Sequence, residues 1–164
     1  MSQRVPRLWL SRSWTTRPPR AGEDPDAYEF VDAATFRAHD EAGGFVESAE
    51  VFGHLYGTPL PTPPPGNDML LEIDVQGAAQ VRARRPDSVV VLVEPPSRRA
   101  QEARLRFRGD DDAVIARRLA RADAEEAAGR ALADHVIVND DLSRAIEEVA
   151  AIVESHRSAG QPPG

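Results

Sequence analysis

With 164 residues, 41% of them apolar, the chain is long enough for one compact domain with a small inserted lobe and too apolar for wholesale disorder. A formal net charge of −7 argues against general nucleic-acid binding, since a duplex-binding surface must replace the cations around phosphates. Zero cysteines exclude disulfides, thiol chemistry and cysteine-held zinc; no apolar run nears the roughly 18 residues of a membrane span and no leader pattern opens the chain, so a cytoplasmic protein is expected.

In chain order, Leu8–Trp14 is apolar and aromatic enough for a strand, and an arginine- and proline-rich stretch, Thr15–Arg20, follows it. Asp32 is placed to cap a short helix over Ala33–Ala42, stopped by Gly43-Gly44. Phe45–Phe52 alternates as a strand, with Glu47 on the face of Phe45, Ala49 and Val51. Pro59–Pro65 is too rich in proline for a helix or inner strand and reads as a surface connection. Met69–Asp74 and Ser88–Val93 are apolar runs without alternation, as in strands covered on both faces, and Val75–Arg85 between them fits a crossover helix. Ser97 caps a helix to about Phe107, and Asp110–Asp112 opens a longer one. His135–Val138 is a further buried-type strand. Asp141 caps a final amphipathic helix, and Ser158–Gly164 reads as an unstructured tail. This alternation predicts an α/β fold with a largely parallel sheet.

Proline after Arg17 favours extended or polyproline geometry, whose three-residue repeat puts Arg17 and Arg20 on one side. Two neighbouring guanidinium groups, with hydroxyls nearby, suit a phosphate dianion. Tyr28, Glu47, Tyr56 and Thr58 share one inserted segment. A phenol can donate to phosphate, and a carboxylate can accept from two adjacent N–H groups of a guanine edge, which adenine lacks. Taken singly, each of these residues has an ordinary structural reading: a charged loop, half-buried tyrosines, a solvated strand position.

Their order is more specific. Ser-x-Ser-x-Thr-Thr-Arg-x-x-Arg-x-Gly-Glu over Ser11–Glu23, Tyr28–Phe30, Phe45–Glu47, Tyr56–Thr58 and Leu-Glu-Ile-Asp-Val-Gln-Gly over Leu71–Gly77 closely resemble the guanylate kinase signature, with similarity continuing to Val136–Leu142. The resemblance implies a P-loop kinase type of fold with a GMP-binding lobe and a short helical lid. It divides residues 1–157 into a core (about 7–20, 68–103 and 119–157), a lobe (about 21–67) and a lid (about 104–118). It implies that Ser13, Glu47 and Thr58 contact guanine and that Arg17, Arg20, Tyr28 and Tyr56 bind the GMP phosphate. Glu72, Asp74 and Gly77 belong to the same acceptor motif, with Asp74 at a strand's carboxyl end facing the nucleotides. Arg104, Arg108 and Arg118 match arginines brought over the ATP phosphates, and Asn139 matches a position near adenine. GMP and ATP are the implied partners, Mg2+ the implied cofactor with ATP. The four histidines show no ligand spacing, Asp110–Asp112 reads as helix capping, and no protein-held metal is expected.

The sequence also departs from this pattern. All 20 basic residues are arginine, so the family's Gly-x-x-x-x-Gly-Lys-Ser/Thr loop is not present, and Arg4-Val5-Pro6 resembles only the end of the helix that should follow it. The expectation is a natural start roughly 25 residues earlier, and a chain that binds GMP but transfers phosphate poorly or not at all. With a sheet strand missing, a marginal fold or self-association into a homo-oligomer is expected. The alternative is an inactive module of this fold that binds GMP or a phosphopeptide.

Overall fold

The computed structural model describes residues 4–159 and divides into two compact units, one reaching to Ser88 and the other from Val89 onward. The lobe expected at about 21–67 lies within the first, the lid expected at about 104–118 within the second. None of the helices among the described residues is long and apolar enough to cross a membrane.

The first unit contains β1 (Leu8–Leu10), β2 (Trp14–Thr15), β3 (Glu29–Phe30), α1 (Ala33–Glu41), β4 (Phe45–Val51), β5 (His54–Pro59), β6 (Asp68–Leu70) and α2 (Val75–Arg84). The single strand expected over Leu8–Trp14 is two. Leu8–Leu10 pairs in parallel with β6, whereas Trp14–Thr15 joins a four-stranded sheet ordered β3-β2-β5-β4. The chain changes partner at the serines between them: Ser11 N donates to Leu70 O at 3.0 Å, and Ser13 O accepts from Glu29 N at 2.9 Å. The strand expected over Met69–Asp74 is also shorter, ending at Leu70, and its outer faces are less covered than a continuous apolar run suggests, with Leu10 and Met69 both exposed.

Asp32 caps α1 as expected, its carboxylate accepting from Thr35 N at 2.7 Å, and Gly43 ends the helix with a positive φ of 70° that L-residues rarely adopt. The helix buries Phe36, which stacks on Phe45 with 4.6 Å between ring centroids; Trp14 meets Phe45 edge-on, and His39 stacks on Trp14. This aromatic cluster fixes β4 and β5 against α1. Gly57 runs beneath it, where any Cβ would press on both phenylalanine rings at 3.0 Å.

The second unit contains α3 (Arg98–Phe107), α4 (Asp112–Leu132) and α5 (Leu142–Ala159) around β7 (Val91–Glu94) and β8 (His135–Val138), which pair in parallel with Val91 opposite His135. Ser97 caps α3 through Ala100 N at 3.1 Å, Asp111 caps α4 through Val114 N at 2.8 Å, and the Asp141 carboxylate accepts from Arg144 N at the start of α5. Leu105, Ile115, Ala122, Ile137 and Ala145 form its core. The last helix continues to Ala159, so Ser158 and Ala159 are helical rather than tail; the rest of the expected tail, 160–164, lies outside the described residues.

Candidate active site

The residues expected on the acceptor side all fall in the first unit and gather in two groups along β5. Tyr56 and Thr58 are two residues apart on that strand, so they share a face at a spacing of roughly 7 Å.

Around Tyr56 lies a cationic group. The Thr-Thr pair before Arg17 is consumed by the backbone rather than offered to a ligand. Thr15 Oγ1 donates to Leu55 O at 3.1 Å and accepts from Arg17 N at 3.1 Å, while Thr16 Oγ1 accepts from Leu55 N at 2.9 Å. These bonds aim the chain so that Arg17, only 8% exposed, points inward. Its guanidinium grips Glu23 with two bonds, 2.7 and 3.0 Å, gives another to Pro18 O at 2.7 Å, and lies 5.4 Å from the Tyr28 ring centroid and 5.6 Å from that of Phe30. Arg20 converges on the same carboxylate, with its backbone N–H at 2.9 Å and its guanidinium at 3.9 Å. The two arginines therefore meet on one side, as the three-residue repeat implied.

Glu23 was part of the sequence motif but carried no expected role; spacing alone does not reveal that it would sit between both arginines. Its bonds from Arg17, reinforced by Arg20, hold its carboxyl far below the ordinary range, at about 2. The same pair raises Arg17, with the neighbouring Tyr56 adding to the effect. Tyr28 meets Tyr56 edge to face at 6.1 Å; burial raises its phenol, and the charge of Glu72 raises it further.

Around Thr58 lies the second group. Glu47 sits opposite Thr58 in the β4–β5 ladder, beside a register irregularity between Phe45 and Glu47. The Thr58 hydroxyl donates to Glu47 Oε1 at 2.6 Å, and Ser13 Oγ lies 3.3 Å from Thr58 Oγ1. Thr58 is fully buried and Glu47 only 4% exposed. Burial pushes the Glu47 carboxyl up; the Thr58 bond opposes this and the charge of Asp74 adds to it. Helix α2 closes the far side at Gly77, where a Cβ would collide with the Glu47 carboxylate. Asp74 was expected at the end of a strand facing the nucleotides. It lies four residues past β6 and acts as the N-cap of α2, accepting from Gly77 N at 2.8 Å and from Gln76 Nε2 at 3.1 Å. The loop after Leu70 makes no ladder, which leaves Asp74 free to turn its side chain back onto the helix.

The residues expected on the donor side fall in the second unit. Arg104, on α3, donates from Nη2 to Asn139 O at 2.6 Å, bringing those two expected residues together. Arg108 is the C-cap of α3 and pairs with Asp110 at 2.9 Å. Arg118 is half-buried on α4. The exposed Arg106 pairs with Glu102 and Asp112, as a solvated helix face should. A cavity of about 380 Å³ in this unit is lined by the β7–α3 loop with Glu126 and Arg130, and by none of the expected residues. Among the described residues no three His, Cys, Asp or Glu side chains converge as a metal site.

A family model described as guanylate kinase matches residues 5–156. A guanylate kinase of Nitrosococcus oceani is 48% identical over 154 residues, covering 90% of this chain and 75% of its own length. One from Aromatoleum aromaticum is also 48% identical, covering 94% of this chain and 78% of itself. The crystal structure of guanylate kinase from Anaplasma phagocytophilum superposes with a TM-score of 0.74 at 33% identity, over 91% of this chain and 75% of that one.

Proposed function

Because the chain belongs to the guanylate kinase family, we propose that it serves the transfer of the γ-phosphoryl group of ATP to GMP, giving ADP and GDP. A GMP phosphate oxygen forms the new bond to phosphorus as the bond to the β-phosphate oxygen breaks. Such chemistry asks a protein chiefly for positioning and for stabilising spread negative charge.

The observation that carries this reading is the buried Glu47–Thr58–Ser13 array closed by Gly77. A carboxylate held this far from water has lost hydration that the Thr58 hydroxyl restores in part and a pair of N–H donors would complete. Guanine offers adjacent N1–H and exocyclic N–H groups; adenine does not. Arg17 and Arg20, with the hydroxyls of Tyr28 and Tyr56, supply the charge and donors for the phosphate, and Glu23 keeps Arg17 stiff enough to do so. Glu72, Asp74 and Gly77 complete the acceptor wall. On the donor side Arg104, Arg108 and Arg118 are assigned to the ATP phosphates and Asn139 to the adenine end. Mg2+ belongs to this reading as a passenger on ATP. The reaction draws on soluble nucleotide pools, so a cytoplasmic location goes with it.

The sequence as given contains no lysine and hence no Gly-Lys-Ser/Thr loop. We therefore propose that this polypeptide alone binds GMP yet transfers phosphate slowly or not at all, because lid arginines supply charge without fixing the donor in line. Calorimetry with GMP and a coupled turnover assay with GMP, ATP and magnesium test both halves. Absence of GMP binding refutes the first, and turnover at rates ordinary for kinases, roughly 1–100 s⁻¹, refutes the second. A phosphopeptide site would use the arginines and tyrosines equally well, but would leave the buried Glu47 with the Thr58 hydroxyl as its one side-chain donor; a phosphoserine peptide binding more tightly than GMP would favour it.

A further inference from the structure

Among the described residues the sheet β3-β2-β5-β4 ends at β4, so one edge of the strand carrying Glu47 has no strand beside it. Unpaired edge groups are normally left to water, and an edge strand can then slip or fray. Here the side chains of α2 take the place of the missing strand. Gln80 uses both ends of its amide on one residue: Oε1 accepts from Ser48 N at 3.3 Å and Nε2 donates to Ser48 O at 2.7 Å. Arg84 Nη1 donates to Val46 O and reaches Phe45 O at 3.4 Å. Residues 46 and 48 flank Glu47, so both neighbours of that side chain are tied to one helix.

The spacing explains why a helix can do this. Gln80 and Arg84 are one turn apart, about 6 Å along α2. Val46 and Ser48 are two residues apart, about 6.6 Å along β4. The two periods agree, and Gly77, one turn before Gln80 on the same face, leaves the room that the Glu47 carboxylate occupies. On the far side of β4, Asp40 of α1 accepts from Ser48 Oγ at 3.1 Å.

We propose that Gln80 and Arg84 are positioning residues for purine selection: they hold β4 in the one register that presents Glu47 to a guanine edge. The inference rests on the proposed reading of Glu47 as the guanine acceptor. Neither residue touches the nucleotide in this scheme. They act through the backbone on either side of Glu47, and Arg84 acts also through its charge, which opposes the effect of burial and of Asp74 on the Glu47 carboxyl.

The test compares GMP with IMP, which keeps the N1–H but lacks the exocyclic amine, by calorimetry on the full chain. Gln80→Leu should cut the preference for GMP over IMP by tenfold or more, with IMP, which has one of the two bonds to lose, weakening less than GMP. Arg84→Met should do the same and also move the acid limb of GMP binding to higher pH; Arg84→Lys, keeping charge and donor, should restore both. Should Gln80→Leu fail to fold, Gln80→Glu, which still accepts from Ser48 N but cannot donate to Ser48 O, and the Arg84 pair supply the same readout. Folded variants that keep the wild-type preference overturn the proposal. So does an equal loss of both nucleotides, which marks a merely structural clamp. A wild-type chain with no GMP affinity instead removes the reading beneath it, whereas a wild type that prefers GMP with indifferent variants sinks this inference alone.

Discussion

Replacing Glu47 by glutamine removes one charge and no heavy-atom volume, and it separates the demands of the fold from those of the ligand. In the free protein the carboxylate is almost wholly buried, and its carboxyl is pushed above the ordinary range. For an acid whose folded value is raised, ionisation costs stability, and that cost grows as pH rises from the unfolded value through the folded one. At pH 7.5 Glu47→Gln should therefore melt no lower than the wild type, since the amide oxygen can still accept from Thr58. Binding should move the opposite way. Two hydrogen bonds to a carboxylate contribute about 1.5–3 kcal/mol each, and an amide rotated to accept one N–H must turn its own donor toward the other. Allowing for the burial cost relieved in the free protein, about 3 kcal/mol is lost, or roughly a 100-fold rise in the Kd for GMP. AMP, which offers no such donor pair, should change little. Calorimetry with both nucleotides and a thermal melt give the answer. GMP affinity within threefold of wild type would refute the reasoning, as would a variant that melts well below it, because Glu47 would then be holding the fold together rather than waiting for a base.

Glu23, its carboxyl lowered from 4.5 to about 2 by Arg17 and Arg20, stabilises the fold above the ordinary carboxylate range, and that stability is lost as pH falls from about 4.5 toward 2. Discounted for its position near the surface, Glu23→Gln should cost about 1–2 kcal/mol at neutral pH and flatten the acid limb of a denaturation series; an unchanged acid limb would discount the Arg17–Glu23 pair. Gly77→Ala gains up to about 1 kcal/mol in helix propensity, but its Cβ displaces the Glu47 carboxylate, so GMP affinity should fall at least tenfold by calorimetry while the helical circular dichroism signal holds. Each unit also carries a two-stranded parallel ladder with exposed apolar side chains, Leu10 and Met69 in one, Val93, Val136 and Val138 in the other. Such ladders are marginal alone, and analytical ultracentrifugation at micromolar concentration should find self-association; a clean monomer with a sharp cooperative melt would count against it.

Helix starts were legible because local chemistry determines them. Asp32, Ser97, Asp111 and Asp141 each cap the helix that follows, and an Asp or Ser before an apolar-periodic segment is a signal complete within a few residues. Strand extents were less so. The run Leu8–Trp14 is apolar at both ends with Ser11-Arg12-Ser13 between, and those polar residues do not by themselves say that the chain leaves β6 at Leu10 and meets β3 and β5 at Trp14, since the partners lie far along the chain. The site residues were found through an ordered set of motifs, yet that set could not reveal how they are held. Glu23 closes on Arg17 across a turn, and Gln80 reaches Ser48 over 32 residues of sequence.

Helix α2 is where these threads join. Its N-cap, Asp74, bonds Gly77; Gly77 makes room for Glu47; Gln80 and Arg84 bind the backbone around Glu47. A motif that reads in sequence as one short stretch, Leu71–Gly77, thus marks only the first turn of an element whose remaining turns complete the job. Propensity would allow many residues at positions 80 and 84 of an exposed helix. The strand edge does not: it needs a side chain that both donates and accepts at one turn, and a long donor at the next. That requirement comes from the unpaired edge of β4 and not from the helix, which is why no inspection of α2 alone could supply it.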